Sequence, residues 1–196
     1  MKTKLFALFA GVVGLISLPA QAGLQLGIGP SLYSGTEYDE EAGYGINAEV
    51  GLLFDKQPID LFIGGKVTYV DGLGSGMAEL DAFEAALAGR VLFPVATNWL
   101  KLYVEGSLGT ANLGVAGESK YRTLINGRDV SFNTKFDENE WVFAYGLGVG
   151  VQFDFTSWLG VRVGYEFHNF GEVEAFGLKT DPGSLNGVVG SLVIKF

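Results

Sequence analysis

Few side chains in this 196-residue chain could do chemistry: cysteine is absent and histidine occurs once, as His168. In "GYEFHNF", His168 follows Glu166 by two residues, so an extended segment projects both from one face. A histidine beside a carboxylate is two-thirds of a Ser/His/acid hydrolase. However, His168 falls on a face of glycines and charges, and no neighbouring residue presents an obvious nucleophile. The expectation is therefore a histidine held by hydrogen bonds, with no catalytic residue.

Glu49, Asp60, Glu84, Glu105, Asp154 and Glu166 could supply the acid/base pair of a glycosidase. They alternate in phase with Lys66, Arg90, Lys101, Arg162 and Lys195, which favours structural ion pairs. "EYDEE" (37–41) and "DENE" (137–140) invite a calcium reading but lack the EF-hand spacing and its glycine. They read as solvated loop charges able to share divalent ions with lipid phosphates. "GLGVGV" (146–151) resembles a phosphate loop only superficially, since no helix signal follows it. Without cysteine and with one histidine, the usual structural zinc sites cannot be built. No metal site, no cofactor and no enzymatic activity are expected.

The elements that must position these groups begin after a leader. "MKTK" is a basic start, "LFALFAGVVGLISL" an apolar stretch, and "PAQA" offers small residues at Ala20 and Ala22. This predicts a cleaved signal peptide over 1–22 and a single domain over 23–196. The absence of cysteine excludes a lipid-modified amino terminus and disulfides. The net charge of −9 becomes −11 without Lys2 and Lys4, which argues against nucleic acid as a partner.

The remaining chain is dominated by period-two alternation, which predicts strands near 24–33, 42–54, 59–70, 82–93, 99–111, 141–155, 159–169 and 187–196. Their connections alternate between tight ("DKQP", "PVATN", "TS") and long and polar, the layout of an up-and-down transmembrane barrel. In the longest connection, "YRTLINGRDVSFNTKF" carries Asn126-Gly127 between alternating runs, a hairpin-turn signal. Two further barrel strands would make ten. A hairpin protruding beyond an eight-stranded barrel is preferred, because its charges leave no clean apolar face.

The two faces differ sharply. One is large and apolar without a charge; the other is glycine plus Glu49, Asp60, Lys66, Glu84, Arg90, Lys101, Glu105, Asp154, Arg162, Glu166 and Lys195. Eight strands enclose too little space for the aromatic face, so the charges are expected inside as ion pairs and the apolar face in lipid. A soluble barrel would need the reverse. An aromatic belt is expected at the short-turn side from Phe54, Phe93, Trp99, Phe155, Trp158 and Phe196. Spanning strands must close on themselves, so the first must pair with the last, with Pro30 at a bulge or rim.

The leader, the alternating Gly and aromatic strands, "GVRVGYEFHNFGEV" and the terminal "VGSLVIKF" resemble the small eight-stranded bacterial outer-membrane barrels of the OmpA and OmpX kind. The resemblance implies an all-β, eight-stranded antiparallel barrel in a Gram-negative outer membrane, with periplasmic turns and extracellular loops. It also implies outer-membrane lipid and lipopolysaccharide as surroundings, and recognition of the last strand by the barrel-assembly machinery. No peptidoglycan-binding domain is expected, because the chain stops at the eighth strand. The expected role is structural or a surface interaction through acidic loops and the hairpin, with an extracellular protein partner. A small pore, or a lipid A-modifying hydrolase built on His168, is the alternative.

Overall fold

A computed structural model describes residues 22–35, 42–56, 58–75, 78–95, 97–125, 128–171, 173–175, 178–180 and 183–196. Among them, 56, 73–75, 78–80, 97–98, 115–125, 128–138, 173–175 and 178–180 are described through their backbone only. Residues 1–21 of the expected signal peptide, the acidic 37–41 run and the Asn126-Gly127 turn lie outside the described residues.

The described residues form ten strands: β1 (Ala22–Gly35), β2 (Gly43–Lys56), β3 (Ile59–Ser75), β4 (Ala78–Val95), β5 (Thr97–Ile125), β6 (Arg128–Asp154), β7 (Leu159–Phe170), β8 (Val173–Ala175), β9 (Leu178–Thr180) and β10 (Ser184–Lys195). Eight of them close a barrel in the order β1-β10-β7-β6-β5-β4-β3-β2, all antiparallel. The short β8 and β9 form a separate hairpin between β7 and β10. Closure joins β1 to β10 from Gln25↔Lys195 to Gly35↔Leu185, and Phe196 N donates to Leu24 O at 2.8 Å. The expected eight-stranded, closed architecture is the observed one.

The strands are longer than their alternation indicated. β5 and β6 pair without interruption from Leu100↔Phe153 to Ile125↔Arg128, so the hairpin is a continuation of two barrel strands. β4 leaves β5 at Gly117, and β7 joins β6 only from Ala144 onwards. Among the described residues, 118–125 therefore pair only with 128–135, as a two-stranded ribbon above the closed wall. β3 and β4 also rise higher than expected, to Ser75↔Ala78, with a register shift between Val70 and Leu73.

The expectation for Pro30 is corrected. No register shift marks it: Pro30 pairs with Ile46 in the middle of β1, and the pairing with β10 keeps one register on either side of it. What Pro30 does is remove a donor. The ladder alternates, so with Phe196 N donating to Leu24 O, position 30 is one whose N–H should reach Gly190 O. The side chain of Asn47 takes its place, its Nδ2 lying 3.3 Å from Gly190 O and 2.8 Å from Gly29 O.

Candidate functional site: the barrel interior

The alternation sorts the side chains cleanly. Apolar residues of the outer face are exposed, among them Ile28, Ile46, Leu87, Val104, Leu108, Phe143, Leu147, Val149, Tyr165 and Val188. The inner face carries Gln25, Asn47, Glu49, Asp60, Lys66, Thr68, Glu84, Arg90, Lys101, Glu105, Gln152, Arg162, Glu166, His168 and Ser191, all buried. Asp154 and Lys195 lie at its short-turn end.

Four levels follow one another along the inner wall. At the short-turn end, Lys101 Nζ bridges Asp60 (2.6 Å) and Asp154 (3.1 Å), and Lys195 Nζ reaches Asp154 at 2.6 Å. Asp55, exposed beyond Phe54, pairs with Asp60 across the β2–β3 ladder, and that negative neighbour raises its carboxyl above the usual carboxylate range. Next comes an apolar layer of Leu53, Phe62, Ala88, Leu92 and Tyr103.

The central level is one connected network. Arg90, with no exposed surface, joins Glu49 (Nη2–Oε2 2.5 Å) to Glu105 and lies over the rings of Phe62 and Tyr103 at 4.8 and 5.3 Å. Arg162 also holds Glu49, at 2.7 Å, and Lys66 links Glu105 (2.8 Å) to Glu166 (2.6 Å). Glu166 accepts from Tyr33 Oη at 3.1 Å and lies 3.1 Å from His168 Nε2; His168 Nδ1 lies 2.6 Å from Glu84. Both nitrogens of the ring thus face carboxylates. The network sets three permanent cations against four glutamates, with His168 placed between Glu84 and Glu166.

Toward the loop end the interior turns apolar again, with Tyr33, Val70, Ala82, Ala111, Leu113, Val142, Ala144, Phe170, Leu185 and Val189 packed into one cluster. This corrects the expectation that glycines and paired charges alone fill the barrel. Phe62, Tyr103 and Tyr33 are inside because glycines on the barrel wall leave room where their rings lie. Side chains at Gly51 and Gly64 would collide with Phe62, and one at Gly164 with Tyr103. The signal was available, since Phe62 shares the phase of Asp60 and Lys66, and Tyr103 that of Lys101 and Glu105.

The hydrolase reading gains a serine but loses its substrate. Ser107 Oγ and His168 Nδ1 both border Gly146, a proximity across β5 and β7 that no local sequence motif reveals. Both residues are buried inside the barrel and His168 is engaged by Glu84 and Glu166, so a lipid on the outer face has no approach to them.

The expected belt residues occupy the short-turn end. Phe93, Trp99, Phe155, Trp158 and Phe196 are exposed, Phe54 is half-buried, and Trp99 stacks on Phe153 at 6.1 Å. Lys195 N donates to Trp158 O, joining the last strand to the β6–β7 turn at this end. Among the described residues there is no group of three or more His, Asp or Glu side chains able to hold a metal.

The family model for the outer membrane protein beta-barrel domain matches residues 7–192. Among solved structures, Neisserial surface protein A is similar at 12% identity, over 90% of this chain and 98% of its own, with a TM-score of 0.58. Ail, the attachment invasion locus protein of Yersinia pestis, is similar at 13% identity, over 89% and 97%, with a TM-score of 0.54. At these identities the likeness is one of fold. A comparison with curated protein sequences finds no match.

Proposed function

The chain belongs to the outer membrane protein beta-barrel domain family, and from that premise we propose that it is a closed, non-conducting barrel that displays its β5–β6 hairpin to a protein partner outside the cell. The protein resides in the bacterial outer membrane, which its strands cross. The short turns then face the periplasm and the long connections the exterior, as is general for such barrels.

The observation that carries the reading is the ribbon of residues 118–135. Its eight consecutive backbone pairs, Glu118↔Lys135 to Ile125↔Arg128, extend about 25 Å beyond the closed wall. Strand edges without neighbours are templates for pairing with an extended segment of another chain, where backbone hydrogen bonds supply affinity. A closed interior supports the same reading: two apolar layers bracket a network of paired charges, leaving a role outside the barrel rather than through it. A non-enzymatic role is supported by the enclosure of His168 and the inner carboxylates.

Replacing residues 118–135 with a short turn is expected to leave heat-modifiable migration and β-sheet circular dichroism unchanged. The same replacement should abolish adhesion of cells expressing the protein to immobilised extracellular protein. Adhesion that survives would overturn the hairpin role. In planar bilayers, the purified barrel is expected to give no conductance steps above leak; discrete steps would establish the pore instead.

A further inference from the structure

One polar side chain inside the barrel is without a partner at a place where there is room for one. Thr68, on β3, is 4% exposed and its Oγ1 makes no hydrogen bond. It borders a cavity that is mostly apolar, lined by Val70 and Phe170 among others, to which Tyr33 from β1, Glu84 from β4 and His168 from β7 also contribute. The cavity leaves about 10 Å³ for the centre of a water molecule, about one molecule's worth.

We propose that this cavity is a binding site for a single buried water, held by the Thr68 hydroxyl and the Glu84 carboxylate. Buried hydroxyls are almost always hydrogen-bonded, and the polar groups nearby are engaged with one another: Tyr33 Oη with Glu166, His168 Nδ1 with Glu84. An apolar occupant would leave Thr68 unsatisfied, and a larger polar one does not fit. A water can accept from or donate to the hydroxyl while donating to the carboxylate, reaching the two to four partners that buried waters have. The bound water extends the Tyr33–Glu166–His168–Glu84 chain to β3. It occupies the last polar position before the apolar cluster at the loop end. This site does not depend on the hairpin having a partner.

The test uses the purified full-length barrel and two variants. Thr68→Val keeps the side-chain shape and removes the hydroxyl; Thr68→Ser keeps the hydroxyl. A high-resolution crystal structure of the unmodified protein is expected to show a water within hydrogen-bonding distance of Thr68 Oγ1 and Glu84. Thr68→Ser should retain that water. Thr68→Val should lose it, with Tm lowered by about 2–4 °C. A dry cavity in the unmodified protein, or a water that stays in place in Thr68→Val, would overturn the proposal. So would a Tm in Thr68→Val equal to or above the original, because removing an orphaned hydroxyl relieves a penalty. If Thr68→Val does not fold, water–amide Overhauser contacts at Thr68 and Glu84 in the unmodified protein decide the matter: their presence supports the site and their absence overturns it.

Discussion

Asn47 performs a task for the backbone that usually needs no side chain. Pro30 deprives Gly190 O of a strand donor, and Asn47 Nδ2 reaches that carbonyl while Asn47 Oδ1 accepts from Ser191 Oγ at 2.9 Å. Ser191 Oγ in turn accepts from Arg162, so the seam between first and last strands is tied into the charged network. Leucine at 47 fills the space but can neither donate nor accept. Asn47→Leu should therefore lower stability by about 1–3 kcal/mol, the cost of buried polar groups left unpaired, as measured by urea unfolding in detergent. A larger effect belongs to His168 and Glu84. Removing His168 leaves Glu84 without that partner, and removing Glu84 leaves His168 held by Glu166 and Tyr33 only; Glu84→Leu or His168→Phe alone should each cost about 3–5 kcal/mol. The pair Glu84→Leu with His168→Phe should cost much less than the two single losses combined, a non-additivity that a double-mutant cycle would measure.

At the scale of elements, the inner and outer faces were legible because alternation is a local property: in β3, Asp60, Phe62, Lys66, Thr68 and Val70 follow one another on the inner face by parity alone. Strand length was not. The expected ends at 111 and 141 follow the alternating apolar runs, and the stretch between them carries charges such as Lys120, Arg122 and Lys135 that leave no clean apolar face. Hydrogen bonding between β5 and β6 does not require that face, and the ladder runs on to Ile125↔Arg128. Nor could local pattern show that Asn47 serves β10 or that Ser107 approaches His168, since both relations join residues far apart in the chain. The β3–β4 extension depends on a different local feature. Gly72 has φ of +77°, beside the register shift between Val70 and Leu73. A side chain there costs about 1–2 kcal/mol in backbone strain even though space is open around it. Gly72→Val should accelerate amide hydrogen exchange from Leu73 to Ser75 while leaving exchange in the lower barrel, at Leu61 to Val67, unchanged.

The whole molecule is arranged as the inverse of a water-soluble protein. Within the membrane-spanning wall, the ionised side chains of the described residues are gathered in the interior, while leucine, valine, isoleucine and aromatic rings cover the outside. In β2 the outer face runs from Tyr44 to Phe54, about eleven residues, which at a tilt of about 45° rises about 25 Å, the height of the apolar band of an outer-membrane barrel. Such a surface is stable only in contact with hydrocarbon, and the dependence on depth gives the test. Val104 lies near the middle of the outer face of β5, whereas Tyr44 is near the loop-end rim. Val104→Arg places a charge in the bilayer centre and should cost about 2–4 kcal/mol, while Tyr44→Arg should cost about 0–1 kcal/mol of charge burial, in reversible unfolding from phospholipid vesicles. Both positions are more than half exposed, so in water the charge itself would cost little at either one. A steep difference between them therefore reports lipid against the outer wall, and equal small effects would mean that the wall faces water.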